Sequence, residues 1–120
     1  MSWRSVSFGG RFVNRKLFRG AILETVLLAL INEASDYGTH GYAILVAVYK
    51  KFGVRLSPST LYPELKSLEK QGLIASQWEI ALSKARRQYR ITRKGQNLLR
   101  EYFSELKIVI PATQVQLLKI

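Results

Sequence analysis

The spacing of apolar residues changes at Gly72 from a helical period to a strand period. Before this glycine, Leu61, Leu65 and Leu68 recur at intervals that place all three on one face of a helix. After it, apolar and polar residues alternate over residues 73–80, which is typical of a half-buried strand. The chain therefore has to accommodate a helix that is followed almost directly by a strand.

A second alternating stretch, residues 88–92, predicts a partner strand, so the two strands should form a hairpin. Residues 81–87 are predicted to form the tip of this hairpin, and Trp78 is predicted to lie in its core. The tip should be basic, because it contains three cations: Lys84, Arg86 and Arg87.

Helical patterns lie on both sides of the hairpin. Helices are predicted over residues 17–34, over residues 41–52, from Pro58 up to Gly72, and over residues 93–110. Ser57 and Thr92 are suited to N-cap positions, and Pro58 is suited to the first helical position. Pro63 removes a backbone donor, so a bend or a late start is expected in the third helix.

This order of elements predicts a mainly α fold with a small β-hairpin. Three short helices followed by a basic hairpin indicate a winged helix-turn-helix, and the long C-terminal helix is an addition to it. We expect residues 1–15 to form a basic N-terminal arm without regular structure. Residues 16–92 should form the winged-helix DNA-binding domain, and residues 93–120 a C-terminal dimerisation helix and tail.

The first helix is apolar nearly all the way round, which predicts that it is buried nearly all the way round. A domain of 120 residues cannot easily cover both sides, so we expect the first and last helices to form a homodimer. The candidate interface residues are Leu23, Leu27, Leu30, Leu98, Tyr102, Phe103, Leu106 and Val109. Tyr102 and Phe103 could instead line a pocket between subunits, but plain dimer packing is the simpler interpretation.

Charge is the strongest compositional signal. The chain has 19 Lys and Arg against 8 Asp and Glu, a net charge of +11, and a pI of about 10.3. Such a balance indicates an anionic partner, either nucleic acid or an anionic membrane surface.

Several chemistries are excluded by composition. The chain has no cysteine, which excludes disulfides, zinc fingers and cysteine nucleophiles, and its one histidine, His40, makes no metal site by itself. Neither a catalytic His–carboxylate pair nor a P-loop pattern is present, so we expect no enzyme, no metal and no cofactor. The most apolar run, residues 21–31, is too short for a membrane span and no signal peptide is visible, so we expect a cytoplasmic protein.

The third helix has the two faces that a DNA-recognition helix needs. Its leucine stripe lies opposite short hydroxyls and cations, which can contact phosphates and base edges. An ordinary solvated helix face has a similar composition, but this one is followed by a basic hairpin in a chain of charge +11. The candidate DNA-binding residues are Tyr42, Ser57, Ser59, Thr60, Tyr62, Pro63, Lys66, Lys70, Lys84, Arg86 and Arg87.

Three sequence motifs resemble those of the PadR family of transcriptional regulators. They are HGY at residues 40–42, LYPELKSLEKQGLI at residues 61–74 and RRQYRITRKG at residues 86–95. The resemblance covers residues 17–103, and the motifs occur in the family's order.

The resemblance implies a winged-helix homodimer that binds operator double-stranded DNA and represses transcription. It also implies that Ser57, Ser59, Thr60, Tyr62 and Lys66 contact DNA from the third helix, and that Lys84, Arg86 and Arg87 contact it from the hairpin. Some members of the family release DNA when a small aromatic inducer binds. The hairpin of this chain departs from the family pattern, because its tip lacks the usual glycine.

Two other functions remain possible on the sequence alone. A winged-helix protein can coat DNA without sequence preference, as an architectural module, and competition with bulk DNA separates this function from specific regulation. A basic RNA-binding protein is the second, although the sequence lacks the exposed aromatic platform typical of RNP motifs.

Overall fold

The computed structural model describes residues 5–8, 11–14, 22–81 and 84–109 of the chain. The helices are α1 (Leu23–Glu33), α2 (Gly41–Phe52), α3 (Pro58–Lys70) and α4 (Arg93–Val109), with a short 3-10 turn at Ser35–Tyr37. The strands are β1 (Ser5–Phe8), β2 (Arg11–Asn14), β3 (Thr39–His40), β4 (Ile74–Ala81) and β5 (Lys84–Ile91). We call the β4–β5 hairpin the wing.

The core lies between α1, α2, α3 and the base of the wing. The leucine stripe predicted for the third helix is confirmed, because Leu61, Leu65 and Leu68 are all fully buried on α3. Other buried members are Leu23, Leu27, Ile31, Ile44, Val48, Ile74, Tyr89 and Leu99. All four helices and both strands of the wing therefore contribute to one apolar core.

The main sheet has three antiparallel strands in the order β3-β5-β4. In the wing, Ile74 pairs with Ile91 and Ala81 pairs with Lys84, so the hairpin is long and only residues 82–83 lie between its strands. The short strand β3 lies in a stretch where the sequence predicts a loop, and it pairs with β5 through Thr39 and Tyr89. The wing is therefore tied to the segment that leads into α2.

The helix ends largely follow the sequence signals. The second helix has the predicted bounds, and Thr92 caps α4, since its Oγ1 accepts a hydrogen bond from the Gly95 N–H at 3.1 Å. At the end of α3 the Gly72 and Leu73 N–H groups donate to Glu69 and Leu68, in the pattern of a Schellman motif. This motif requires a left-handed residue, and Gly72 supplies it with φ 77°.

Three local predictions are wrong. The late start expected at Pro63 does not occur, because α3 begins at Pro58 and continues through Pro63 to Lys70, while a bend at Pro63 stays a prediction. The predicted hairpin tip is part of the strand pair, since residues 81 and 84–87 extend β4 and β5. Residues 5–14 contain two paired strands, β1 and β2, although their sequence shows no strand periodicity.

The predicted fold class is confirmed. Three helices followed by a β-hairpin form a winged helix-turn-helix, and the long α4 packs back onto it against α1. Among the described residues, no helix has the length and apolar character needed to span a membrane.

Candidate nucleic-acid interface

Three segments that are distant in sequence meet around a groove of about 500 Å³. They are the N-terminal end of α2, the exposed side of α3 and the wing. The residues that line the groove are His40, Gly41, Tyr42, Ala43, Tyr62, Trp78, Ala85, Arg86, Arg87 and Tyr89. We call it the α3–wing groove. It brings together four of the predicted DNA-binding residues, Tyr42, Tyr62, Arg86 and Arg87.

Gly41 and Tyr62 form the floor of this groove, and their contact explains the glycine of the HGY motif. A Cβ atom at residue 41 would lie 2.7 Å from Cζ of Tyr62, which is too close for a Cβ contact, so the tyrosine ring would have to move. The missing side chain thus lets the tyrosine ring rest on the first turn of α2. Tyr62 remains 45% exposed and Tyr42 is 75% exposed, so both present aromatic surface to solvent.

His40 and Tyr89 line the groove together with the exposed aromatic residues, and both are less exposed than these. Nδ1 of His40 is buried and has no hydrogen-bond partner among the described residues, so the imidazole is not capping α2 through this atom. Burial raises the pKa of Tyr89 above its usual value of 10.0, and the nearby Tyr62 raises it further.

The N-terminus of α3 carries three clustered hydroxyls. Oγ of Ser57 lies 3.0 Å from Oγ of Ser59 and 3.1 Å from Oγ1 of Thr60. Ser57 has the extended backbone of an N-cap residue, but its side chain makes no capping hydrogen bond to the backbone. The side-chain capping predicted for Ser57 is therefore wrong, and its hydroxyl belongs to a polar cluster at the helix entrance.

The outer side of α3 continues this polar surface. Pro63, Lys66 and Lys70 are all exposed, on the side of the helix away from the buried leucines. Neither lysine takes part in an ion pair found among the described residues, so their ammonium groups remain available to an external anion.

The cations of the wing are less free than the sequence indicates. Nη2 of Arg86 lies 3.5 Å from Oε1 of Glu79, a loose and mostly exposed ion pair. Nε of Arg87 donates to Oγ of Ser76 at 2.8 Å, and its guanidinium carbon lies 5.2 Å from the centroid of the Trp78 ring. The side chain of Lys84 lies outside the described residues. Arg87 is thus engaged within the wing.

Trp78 does not occupy the hairpin core that was predicted for it. Its side chain is 64% exposed, and Ile80 on the same face of β4 is 80% exposed. The alternation predicted for β4 is nevertheless correct. Ile74 lies on the same face as Ser76 and Trp78, and it is buried. The wing simply extends past the core, so its outer half has no helix to cover the apolar face.

The candidate dimer residues divide into two groups. Leu23, Leu27 and Leu30 are at most 8% exposed in the single chain, so they contribute to its core and leave little surface for a second copy. Their role in a dimer stays a prediction. Leu98, Tyr102 and Phe103 on α4 are only partly buried against that core. The side chains of Leu106 and Val109 lie outside the described residues.

Tyr102 links α4 to α1 through a polar contact. Its hydroxyl donates to Oε2 of Glu24 at 3.3 Å. Burial and the nearby Glu24 carboxylate raise the pKa of Tyr102 above its usual value of 10.0.

Sequence reasoning missed the polar residues that connect α3 to the wing. Oγ of Ser76 donates to Oε2 of Glu69 at 2.7 Å while it accepts from Arg87. Nothing in the local sequence marks Ser76, and only the strand register places it beside Arg87. Within the described residues, no group of three His, Asp or Glu side chains is arranged to hold a metal ion.

Comparison with known proteins places this geometry in one family. The model of the transcriptional regulator PadR-like family matches residues 27–101. The transcriptional regulator Rv3488 of Mycobacterium tuberculosis is 41% identical over 76 residues, which cover 63% of this chain and 70% of the relative.

Solved structures agree with the sequence match. A PadR family transcriptional regulator from Eggerthella lenta has a TM-score of 0.69 at 32% identity, over 79% of this chain and 80% of that chain. A PadR-like transcriptional regulator from Bacillus cereus has a TM-score of 0.68 at 28% identity, over 86% and 95% of the two chains. These proteins are regulators and not enzymes, and the chain described here belongs to the PadR-like family of transcriptional regulators.

Proposed function

We propose that the protein is a sequence-specific DNA-binding repressor that acts as a homodimer. The observation that carries this proposal is the surface of α3, which buries three leucines and exposes hydroxyls at its N-terminus and lysines along its outer side. An α-helix fits the major groove of B-DNA, where each base pair presents a distinct pattern of donors and acceptors.

The exposed residues of α3 suit different parts of the DNA. The hydroxyls of Ser57, Ser59 and Thr60 lie at the positive end of the helix dipole, where a phosphate is favoured. Lys66 and Tyr62 lie further along the same surface and can extend to base edges. We assign Pro63 and Lys70 to the margin of this contact, and Tyr42 on α2 to the backbone beside it.

The wing supplies electrostatic contact. Arg86 is exposed, and its ion pair with Glu79 is loose enough to be exchanged for a phosphate, because such a surface pair contributes only about 0–1 kcal/mol. Lys84 begins the same strand and is assigned the same role. These contacts position the protein without reading the base sequence.

Dimerisation is assigned to α4. Leu98, Tyr102 and Phe103 are partly buried against the core, and we propose that a second copy covers the surface they leave exposed, together with Leu106 and Val109 further along the helix. An obligate interface of this kind buries upward of about 2,000 Å² in total. Light scattering at micromolar concentration tests this, and a stable monomer of 13.7 kDa would contradict it.

The decisive experiment measures binding to DNA from immediately upstream of the protein's own gene and to a scrambled duplex, across a series of salt concentrations. Affinity should fall steeply, because log K drops by roughly 0.9 per phosphate contact per decade of salt. A preference for the upstream DNA supports specific regulation. Equal affinity for both duplexes would favour an architectural role, and a slope near zero would contradict nucleic-acid binding altogether.

Matched variants separate the roles of α3 and the wing. Tyr62→Ala and Lys66→Ala should each reduce the difference in binding free energy between the upstream duplex and the scrambled duplex by roughly 1–3 kcal/mol. Arg86→Ala should weaken binding to both duplexes equally. It should also lower the slope of log K against log salt concentration, here called the salt slope, by about one. Lys50→Ala is the control, because this exposed lysine lies eight residues beyond Tyr42 along α2, about 12 Å from the groove end of the helix. If Arg86→Ala alone abolished discrimination, the wing would be the reading element.

Repression follows from position on the DNA. A dimer bound across its own promoter competes with RNA polymerase for the same DNA, so deletion of the gene should raise the output of a reporter placed behind that promoter. Lower output in the deletion strain would identify an activator.

A further inference from the structure

In the outer half of the wing, the face of β4 that turns toward α3 exposes apolar surface that neither the core nor the proposed ionic contacts use. Trp78 and Ile80 are adjacent on this face, and both are more than half exposed. Large exposed apolar side chains that cluster on a small protein indicate a binding surface. Trp78 also lines the α3–wing groove, so this surface is continuous with the face that carries Tyr62.

The indole of Trp78 is held in place by a chain of contacts that begins on α3. Glu69 on α3 accepts a hydrogen bond from Ser76 at 2.7 Å, and Ser76 accepts one from Arg87 at 2.8 Å. The guanidinium of Arg87 then lies over the indole ring, 5.2 Å from its centroid. A guanidinium at this distance attracts the face of the ring. The tryptophan is exposed, yet its position is set relative to α3.

The geometry of DNA determines what enters the groove. When a helix lies in the major groove, a sugar–phosphate backbone passes along each side of it. The wing stands beside α3, so the backbone on that side has to run between the two, which is where the α3–wing groove lies. The groove offers aromatic surface to the sugars through Tyr62 and Trp78. Its positive charge comes from Arg87, because Arg86 lines the edge of the groove but pairs with Glu79 on the other face of the wing.

We propose that the α3–wing groove receives one backbone strand of duplex DNA, with Trp78 as an apolar contact to its sugars or bases and Arg87 as a positioning residue. This inference rests on the proposed function. The charge of the wing as a whole supports it, because the wing carries Arg86, Arg87 and Arg90 against a single described carboxylate, Glu79. Of the three arginines, Arg87 is the one on the face of Trp78.

Fluorescence tests the contact directly. The chain has two tryptophans, so Trp3→Phe leaves Trp78 as the only indole reporter. This variant is titrated with a mixed-sequence duplex of roughly 30 base pairs, about three helical turns. The anisotropy of labelled DNA gives the fraction of protein that is bound. We expect the change in Trp78 emission to be proportional to this bound fraction. An unchanged emission at full saturation would overturn the proposal.

Affinity measurements give the second test. Trp78→Ala should weaken binding roughly five- to thirty-fold, as for loss of an aromatic contact to nucleic acid, with the salt slope unchanged. Trp78→Phe should retain part of the affinity. Tyr49→Ala is the matched control, because Tyr49 is also exposed and also lies under an arginine, with Arg55 at 5.1 Å, but it lies at the far end of α2. Thermal unfolding of each variant checks that the loss of DNA affinity is not caused by a loss of protein stability.

Arg87 needs a readout that distinguishes positioning from direct contact. Arg87→Gln should shift the emission of Trp78 in the free protein and weaken binding while the salt slope stays the same. If Arg87→Gln instead lowered the salt slope by about one and left the Trp78 emission unshifted, Arg87 would contact a phosphate directly. This result would overturn the positioning role. If Trp78→Ala bound DNA like the unchanged protein, the inference would fail and the proposed function would stand. If the unchanged protein bound no DNA, the proposed function itself would fail.

Discussion

Gly95 lies where the first turn of α4 passes over the start of the wing, and it should not tolerate a methyl group. A Cβ atom at this buried position would lie 2.8 Å from Cγ1 of Ile91 and 3.0 Å from the carbonyl carbon of Leu73, and still closer to the carbonyl oxygen. Because two of these three atoms belong to the backbone, Gly95→Ala cannot be accommodated by rotating a side chain. The helix and the strand have to move apart.

The cost of this movement follows from what holds the Leu73 carbonyl. Its oxygen accepts a hydrogen bond from the N–H of Thr92 at 3.1 Å. It also lies 3.0 Å from Oγ1 of Thr92, whose single proton it shares with the carbonyl oxygen of Gly72 at 2.6 Å. Overpacking costs about 1–3 kcal/mol, and the upper part of this range, about 2–3 kcal/mol, applies where backbone atoms have to move. Loosening the hydrogen bonds to the Leu73 oxygen adds about 1 kcal/mol in total. The better helix propensity of alanine returns about 1 kcal/mol. We expect Gly95→Ala to lower the free energy of unfolding by about 2–3 kcal/mol.

Urea unfolding followed by circular dichroism measures this loss, at a fixed protein concentration because dimerisation would contribute to stability. The corresponding decrease in Tm is roughly 8–12 °C. Ser104→Ala, at an exposed position of the same helix, is the control and should change stability by less than about 0.5 kcal/mol. A Gly95→Ala protein as stable as the original would refute the close approach of α4 to residue 73.

Three further predictions concern the groove, pH and the dimer. Gly41→Ala displaces the half-exposed ring of Tyr62 and no backbone atom, so stability should change by less than about 1 kcal/mol while specific DNA affinity falls, as thermal melts and binding curves will show. Burial raises the pKa of Tyr89 in the folded protein, so its contribution to stability is complete below pH 10 and is lost as pH rises through the folded pKa. The urea midpoint of the unchanged protein should therefore fall between about pH 9 and about pH 11, and this fall should be smaller in Tyr89→Phe. An identical pH profile for the two proteins would contradict this. Phe103→Glu should convert a dimer to a helical monomer in light scattering with circular dichroism, and a persistent dimer would exclude this part of α4 from the interface.

Elements with local signals were predictable from the sequence. The bounds of α2 and the cap of α4 follow from residues next to the element, since Gly53 takes the left-handed conformation with φ 69° and Thr92 bonds to the first turn. The buried stripe of α3 follows from the spacing of its leucines. In each case the physical cause lies within a few positions of its effect.

Features that depend on distant residues were not predictable in this way. The strand β3 has only two residues and is defined by pairing with β5, so nothing in its own sequence distinguishes it from a loop. Alternation shows which face of β4 carries Trp78, but not how far the core extends beneath that face. The apolar sequence of α1 likewise predicts that this helix is buried. It does not indicate that the same chain, and not a second copy, buries Leu27 completely.

The pairing of β3 with β5 has a consequence for how the protein folds. Thr39 pairs with Tyr89, 50 residues further along the chain, whereas the wing and the helix ends close within short loops. Bringing distant segments together costs loop-closure entropy before any contact repays it, so we expect this pairing to form late. The surface proposed to face DNA needs both segments, and an incompletely synthesised or partly folded chain should lack it. Nascent chains on the ribosome would then not occupy DNA before the wing has emerged and docked.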